Sequence, residues 1–283
     1  MKRWESVTII GVGLIGASIG LALRERRLAK NVVGVGRRAS SLRKAKACGA
    51  VTATTTNLER GVSDAELIVV CTPVELIVQR AVEAAALAGP GTLITDAGST
   101  KAEIVRTLDR SLQGNQDVDF VGSHPMAGSE KTGPTHARAD LFEGRVSVVT
   151  PTTRTSNSAR DAIEEFWRSL GANVVRLSPR QHDRTVAMIS HLPHVISSAV
   201  AASTPDADLP LASTGWLDTT RIAAGDPELW RQILSDNRAD VLKSLGKFEK
   251  VLASFRRALE RDDQRKLIQL LEAGKQRREA LGN

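Results

Sequence analysis

The run Val7-Thr8-Ile9-Ile10 passes without a break into Gly11-Val12-Gly13-Leu14-Ile15-Gly16 and then into a helix-like stretch to Leu28. A strand entering a helix through glycines at this spacing opens a βαβ unit that holds a phosphate at the helix N-terminus. The first glycine makes the tight turn, the second clears room for a pyrophosphate, and the third lets the helix pack closely on the strand. The pattern alone is weak; the strand-turn-helix context is what its mechanism requires. The expected dinucleotide contacts are Gly11, Gly13, Leu14, Ile15 and Gly16, with Cys71, Thr72 and Pro73 at the end of a later strand. Lys2 and Arg3 ahead of the uncharged stretch Val7 to Leu23 also resemble a signal peptide or membrane span. Glycines at 11, 13, 16 and 20 fit the turn better, and no second long apolar run is expected.

Short β-branched runs alternate with helical stretches as far as Ser178. The expected strands are Val7–Ile10, Val32–Val35, Leu67–Cys71, Thr92–Thr95, Phe120–Val121, Val146–Val149 and Asn173–Leu177. Helices are expected over Leu14–Leu28, from Pro73 to about Leu87, Lys101–Leu112 and Ala159–Leu170. Such alternation predicts a mostly parallel sheet with helices on both faces. Ser178-Pro179-Arg180-Gln181 then reads as a capped helix start, as does Asp226-Pro227. Beyond it, Leu242, Leu245, Phe248, Val251, Leu252 and Phe255 form one apolar stripe. The chain is therefore α/β, a Rossmann doubly wound parallel sheet over 1–178 followed by an all-α domain over 179–283.

The position about 20 residues beyond the third glycine is acidic where the ribose of NAD is bound. Here it is Gly36, followed by Arg37, Arg38, Ser40 and Ser41. Room, two cations and hydroxyl donors favour NADP, with Arg37, Arg38 and Ser41 as contacts. The alternative is a pair of solvated arginines at a strand end.

With 283 residues, 41% hydrophobic and 25% charged, the chain has the composition of a globular protein of two domains. Its 39 Lys+Arg against 32 Asp+Glu give a net charge of +7, a field that attracts anions. The basic and acidic residues interleave between Arg256 and Arg278, as on a solvated helix face. No zinc-finger, basic-zipper or aromatic-and-basic pattern points to nucleic acid. Cys48 and Cys71 are too few and too scattered for a disulfide framework, which fits a cytoplasmic setting.

Asp96-Ala97-Gly98-Ser99-Thr100-Lys101 ends a strand and starts a helix, with Thr100 and Glu103 spaced as a capping box. The next strand leads into Gly122-Ser123-His124-Pro125-Met126-Ala127-Gly128-Ser129-Glu130. Ligands of open α/β sheets bind outside the carboxyl ends of strands, which places His124 and Ser99 at the crevice. A single histidine after a strand is more often structural; at a cofactor crevice it becomes the acid–base candidate. His191 and His194 share a helix face but lack a third ligand, so no metal is expected. Trp230 either lines a pocket or fills a helical core.

These segments, with Ser190-His191-Leu192-Pro193-His194 and Asp218-Thr219-Thr220-Arg221-Ile222-Ala223 ahead of Pro227-Glu228-Leu229-Trp230, resemble the prephenate/arogenate dehydrogenases of tyrosine biosynthesis. The resemblance covers nearly the whole chain. It implies oxidative decarboxylation of a small dianionic cyclohexadienol, with hydride leaving C4 and carbon dioxide leaving C1. Carried over by motif, His124 resembles the catalytic histidine at the C4 hydroxyl, and Ser99 the serine beside it and the nicotinamide. Arg221 resembles the arginine that binds a substrate carboxylate, with Glu130 and Asp218 as its acidic partners. Ser129, His194 and Trp230 complete the implied substrate contacts. Asp218 and Arg221 are spaced to share a helix face, although a surface ion pair is the commoner fate of that spacing. The absence of tyrosine is consistent with an enzyme that makes it.

The alternatives are another Rossmann-plus-helical dehydrogenase, of the β-hydroxyacid or imino-acid type, and a non-catalytic NADP-sensing regulator. A homodimer is expected, because roughly 100 residues of helix make a modest core alone. No membrane or nucleic-acid partner is expected.

Overall fold

Strand burial follows from the apolar runs. The computed structural model describes residues 3–115, 117–129 and 131–282. The sheet comprises β1 (Trp4–Ile10), β2 (Ala29–Val35), β3 (Ala53–Thr55), β4 (Leu67–Val70), β5 (Thr92–Asp96), β6 (Val118–Pro125), β7 (Val146–Thr150) and β8 (Asn173–Arg176). Its helices are α1 (Leu14–Glu25), α2 (Ala39–Ala47), α3 (Leu58–Val62), α4 (Val74–Ala85), α5 (Ala102–Ser111) and α6 (Asn157–Ser169). The strand order β3-β2-β1-β4-β5-β6-β7-β8 is that of a doubly wound sheet with two added strands. All neighbours pair in parallel except β6 with β7.

Alternate residues of one strand serve opposite faces. Val7, Ile9, Leu67 and Val69 join a core with Phe142, Phe166 and Trp167. Ile10, Ile68 and Val70 join another with Ile77, Ile104 and Leu108. Strands buried on both faces read as unbroken apolar runs, which is why β1 and β4 were legible.

The short elements β3, α2 and α3 lack that signature and were not expected. Strand β6 extends past Phe120–Val121 to include His124. Gly122 and Ser123 resemble a loop locally, but Ser123 donates its N–H to Asp96 Oδ1 at 3.1 Å and its hydroxyl to the Asp96 carbonyl at 2.6 Å. The local capping box of Thr100 and Glu103 is not formed: Lys101 occupies the N-cap of α5, and Glu103 pairs with Arg106.

Beyond the sheet come α7 (Pro179–Val186), a π-turn at Ala187–His191, α8 (Leu192–Ser203), α9 (Thr214–Thr220) and α10 (Pro227–Asp236). Ser178 and Gln181 form the expected reciprocal cap, and Asp226 caps α10. Contrary to expectation, Pro179–Ser203 is long and apolar enough by composition to cross a membrane. It nevertheless buries His182, Asp183, His191 and His194 within the protein. By compactness the chain divides after Asn237. The second unit holds α11 (Arg238–Glu260) and α12 (Gln264–Glu279), joined by a turn in which Asp263 accepts the Lys266 N–H.

Candidate active site

The glycine turn sits where the sheet reverses direction, with β2 on one side of β1 and β4 on the other. Gly11 has φ +99°, and a Cβ on it would lie 2.7 Å from the Cys71 carbonyl oxygen. A Cβ on Gly16 would collide with the Gly11 carbonyl. One on Gly13 would meet nothing within 4 Å, so the open side of the turn faces free space. Gly13 also stands at the N-cap of α1 without a side-chain cap, leaving the first helical amides turned outward to attract an anion.

This turn borders a cavity of about 680 Å³ whose lining includes Gly13, Leu14, Ile15, Cys71, Thr72 and Pro73. Thr72 Oγ1 is buried there with no partner among the described residues, a polar atom placed to meet a ligand. The cradle therefore fits a dinucleotide. Arg37 and Arg38 are exposed just past β2, and Ser41 is half-buried in the first turn of α2; none of them lines the cavity. Burial raises the Cys71 thiol above its usual range, so it stays protonated.

Across the cavity, His124 stands next to last in β6 and is buried. Its Nδ1 lies 2.8 Å from His182 Nε2, and His182 Nδ1 lies 2.7 Å from Asp183 Oδ1. A carboxylate only accepts, so His182 carries its proton on Nδ1 and offers a bare Nε2. His124 must then donate from Nδ1, which leaves its Nε2 lone pair unprotonated toward the cavity. Burial, reinforced by His182 and Lys101, holds the His124 pKa well below the ordinary imidazole value. Burial also lowers His182, against the opposing pull of Asp183. The result is a neutral, oriented hydrogen-bond acceptor.

Asp183 reaches further. Its Oδ1 accepts the N–H of Lys101 at 2.7 Å and its Oδ2 that of Ala102 at 2.8 Å, so it caps α5 from α7. The fully buried Lys101 ammonium pairs with the fully buried Asp96 carboxylate. Asp96 also receives the N–H groups of Gly98 at 2.9 Å and Ser123 at 3.1 Å. One ion pair thus braces both the Ser99 loop and the strand that carries His124.

Ser99, Ser129, Arg221 and Trp230 line the same cavity, with His124 and His191. Glu130 lies outside the described residues. Asp218 is exposed and outside the lining. Asp218 lies in the last turn of α9, which ends at Thr220, and Arg221 opens the 3-10 turn that follows. His194 stands behind the lining, stacked on Trp230 at 3.6 Å with an 11° interplanar angle, and its Nδ1 is buried without a partner among the described residues. Burial lowers the His194 pKa, and holds His191 at about 4. Among the described residues no three His, Cys, Asp or Glu side chains are grouped to hold a metal ion. Sequence reasoning missed His182, Asp183 and Asn237; the only local cue is the Ser178 cap, which fixes the helix bearing the first two.

A doubly wound sheet with a glycine turn at its switch point and a neutral histidine across the cavity defines a Rossmann-type oxidoreductase. The chain belongs to the prephenate dehydrogenase family. The family models for the "prephenate dehydrogenase, nucleotide-binding domain" and "prephenate dehydrogenase, dimerization domain" match residues 19–176 and 178–273. Prephenate dehydrogenase of Bacillus subtilis is 31% identical over 98% of this chain and 76% of its own. The structure of Aquifex aeolicus prephenate dehydrogenase in complex with hydroxyphenyl propionate and NAD+ superimposes with TM-score 0.90 at 30% identity, covering 98% of each chain. Synechocystis arogenate dehydrogenase gives TM-score 0.81 at 30% identity, covering 98% of this chain and 99% of that one.

Proposed function

We propose that this protein catalyses the NADP-dependent oxidative decarboxylation of prephenate or arogenate. The observation that carries the reading is the neutral, relay-oriented His124 in one cavity with the glycine turn and Arg221. Gly11, Gly13 and Gly16, with the amides of Leu14 and Ile15 and the segment Cys71-Thr72-Pro73, would hold the dinucleotide, which supplies the hydride acceptor. His124 Nε2 accepts the hydrogen bond, and then the proton, of the substrate's C4 hydroxyl. As the oxygen gains electron density, the C4 hydride departs more easily and the C1 carboxylate leaves as carbon dioxide. Asp183 stabilises the charge that develops along the two imidazoles, since it is already hydrogen-bonded to His182. Ser99 stands by to orient the hydroxyl. The guanidinium fork of Arg221 suits a carboxylate, with Ser129 and Trp230 beside it. Asp218 is assigned no contact within this chain's own cavity.

The preference for NADP is supported by Gly36, which leaves no ribose carboxylate, and by the exposed cations Arg37 and Arg38 just past β2. A homodimer is supported by the matched dimerization model and by exposed Leu242, Val251, Leu252 and Leu259 on α11 with Ile268 and Leu271 on α12. Light scattering at micromolar concentration checks it; a mass near the 30.4 kDa monomer contradicts it. The function is tested by following NADPH formation at saturating cofactor with prephenate and, separately, arogenate. Turnover of one or both is the expected result; turnover of neither overturns the reading.

A further inference from the structure

Asn237, at the C-terminal cap of α10, is buried and donates from Nδ2 to the backbone carbonyl of Asp183 at 2.8 Å. The same nitrogen lies 3.2 Å from His191 Nδ1. The carbonyl only accepts, so it fixes the orientation of the amide: were Asn237 flipped, two oxygens would face each other. With Nδ2 turned toward His191, the His191 Nδ1 must be the bare, accepting nitrogen. A neutral imidazole carries one proton, which therefore resides on Nε2. His191 is buried, lines the cavity with Arg221, and meets Trp230 in an edge-type ring contact, with centroids 6.1 Å apart.

We propose that His191 is a substrate-binding residue that donates Nε2–H to a carboxylate oxygen of the substrate, with Asn237 as the positioning residue that sets its tautomer. The proposal rests on the functional reading above. The two cavity histidines then present opposite faces. His124, ordered through His182 by an acceptor, shows a lone pair; His191, ordered through Asn237 by a donor, shows a hydrogen. A dianionic cyclohexadienol needs both, since its hydroxyl must lose a proton while its carboxylates need donors. Arg221 meets one carboxylate and His191 the other. An uncharged donor also avoids placing a second cation beside His124, and burial holds His191 neutral at ordinary pH.

The two histidines stem from the same carboxylate-bearing residue. The side chain of Asp183 orders His182 and hence His124, and its backbone carbonyl orders Asn237 and hence His191. One residue of α7 thereby sets the polarity of both sides of the cavity.

The tautomers are read directly by nitrogen-15 NMR of the histidine-labelled, full-length protein without substrate. His124 and His182 should show Nδ1–H and His191 Nε2–H, assigned by loss of each signal in His124→Asn, His182→Asn and His191→Asn. In Asn237→Asp the new carboxylate accepts from His191 and should move its proton to Nδ1. Steady-state kinetics then tests recognition. His191→Asn, whose amide is too short to reach the Nε2 position, should raise KM about ten- to a hundredfold, the worth of one hydrogen bond to a charged group, with kcat changed only a few-fold. His191→Gln, whose amide reaches the Nε2 position, should recover most of that loss. A purely structural role would not distinguish asparagine from glutamine in this way. An Nδ1–H tautomer for His191 in the unaltered protein overturns the proposal, as does an unchanged KM in His191→Asn. If the unaltered protein turns over neither substrate, the functional reading fails and takes this ligand with it. The NMR result, which needs no substrate, tells that failure apart from a wrong tautomer.

Discussion

Asp183 Oδ1 accepts the N–H of Lys101 from a helix 82 residues further along the chain, at 2.7 Å, and the same oxygen holds His182 Nδ1 at 2.7 Å. The cap of one helix and the tautomer of the catalytic candidate therefore depend on one carboxylate. Asp183→Asn sets an amide hydrogen against at least one of these donors. With the NH₂ toward His182 both imidazoles reverse, and His124 presents a hydrogen where it must accept. Turnover should fall about 10²–10⁴-fold, the worth of a positioned general base. The measurement is kcat with NADP binding as the control for folding, and turnover within threefold of the unaltered protein would show that the relay does not order His124.

The histidines also set an acid limit on stability. His124, His182, His191 and His194 all titrate below the ordinary value of 6.5, chiefly through burial. Their unfolded forms bind protons first, so unfolding takes up protons as pH falls below about 6.5. Stability is complete above that pH and declines as pH falls toward the folded values, about 4 for His191. Each such group contributes a slope of about 1.4 kcal/mol per pH unit within its window. Thermal unfolding followed from pH 8 to pH 5 should show a level Tm and then a steep fall. A Tm that rises on acidification would contradict the neutral assignment.

Lys101 and Asp96 are both fully buried, so removing one leaves the other uncompensated. Lys101→Met should cost about 3–5 kcal/mol. Denaturant titration at neutral pH measures it directly; a loss below about 1 kcal/mol would mean that the two backbone N–H groups on Asp96 satisfy it alone.

Gly36 has room for a side chain: the nearest atom to a Cβ there is Leu42 Cδ2 at 3.4 Å. Gly36→Asp should therefore fold normally while adding a ribose acceptor and repelling a 2′-phosphate. The ratio of kcat/KM for NADP to that for NAD should drop by at least tenfold, about 1.4 kcal/mol. A higher kcat/KM with NAD in the unaltered protein would refute the role given to Arg37 and Arg38.

Two glycines of the turn should respond differently to the same substitution. Gly13→Ala meets no atom and has φ −77°, so unfolding should shift by less than about 0.5 kcal/mol. Its methyl would intrude on the bound phosphates, weakening cofactor binding on the order of tenfold. Gly16→Ala instead drives a carbon into the Gly11 carbonyl and should lower stability itself. Calorimetry of cofactor binding beside thermal unfolding separates the two; equal effects on both measures would show that Gly13 does not face the ligand.

The sequence alone determined the alternating strands and helices, the glycine turn, and the caps at Ser178 and Asp226. Each of these closes its hydrogen bonds or its apolar periodicity within a few residues, so local spacing suffices to read it. The motif segments also marked His124, Ser99 and Arg221, which the fold brings to one cavity. Tertiary structure alone decided what those side chains can do. His182 lies 58 residues from His124, and Asp183 lies 82 from the amide it caps, separations at which no periodicity carries information. The same distance explains where a local pattern misleads. Thr100 and Glu103 have the spacing of a cap, but a buried carboxylate from another helix occupies that place. Burial then selects the neutral imidazoles, because only the folded chain withholds the water that would stabilise their charge.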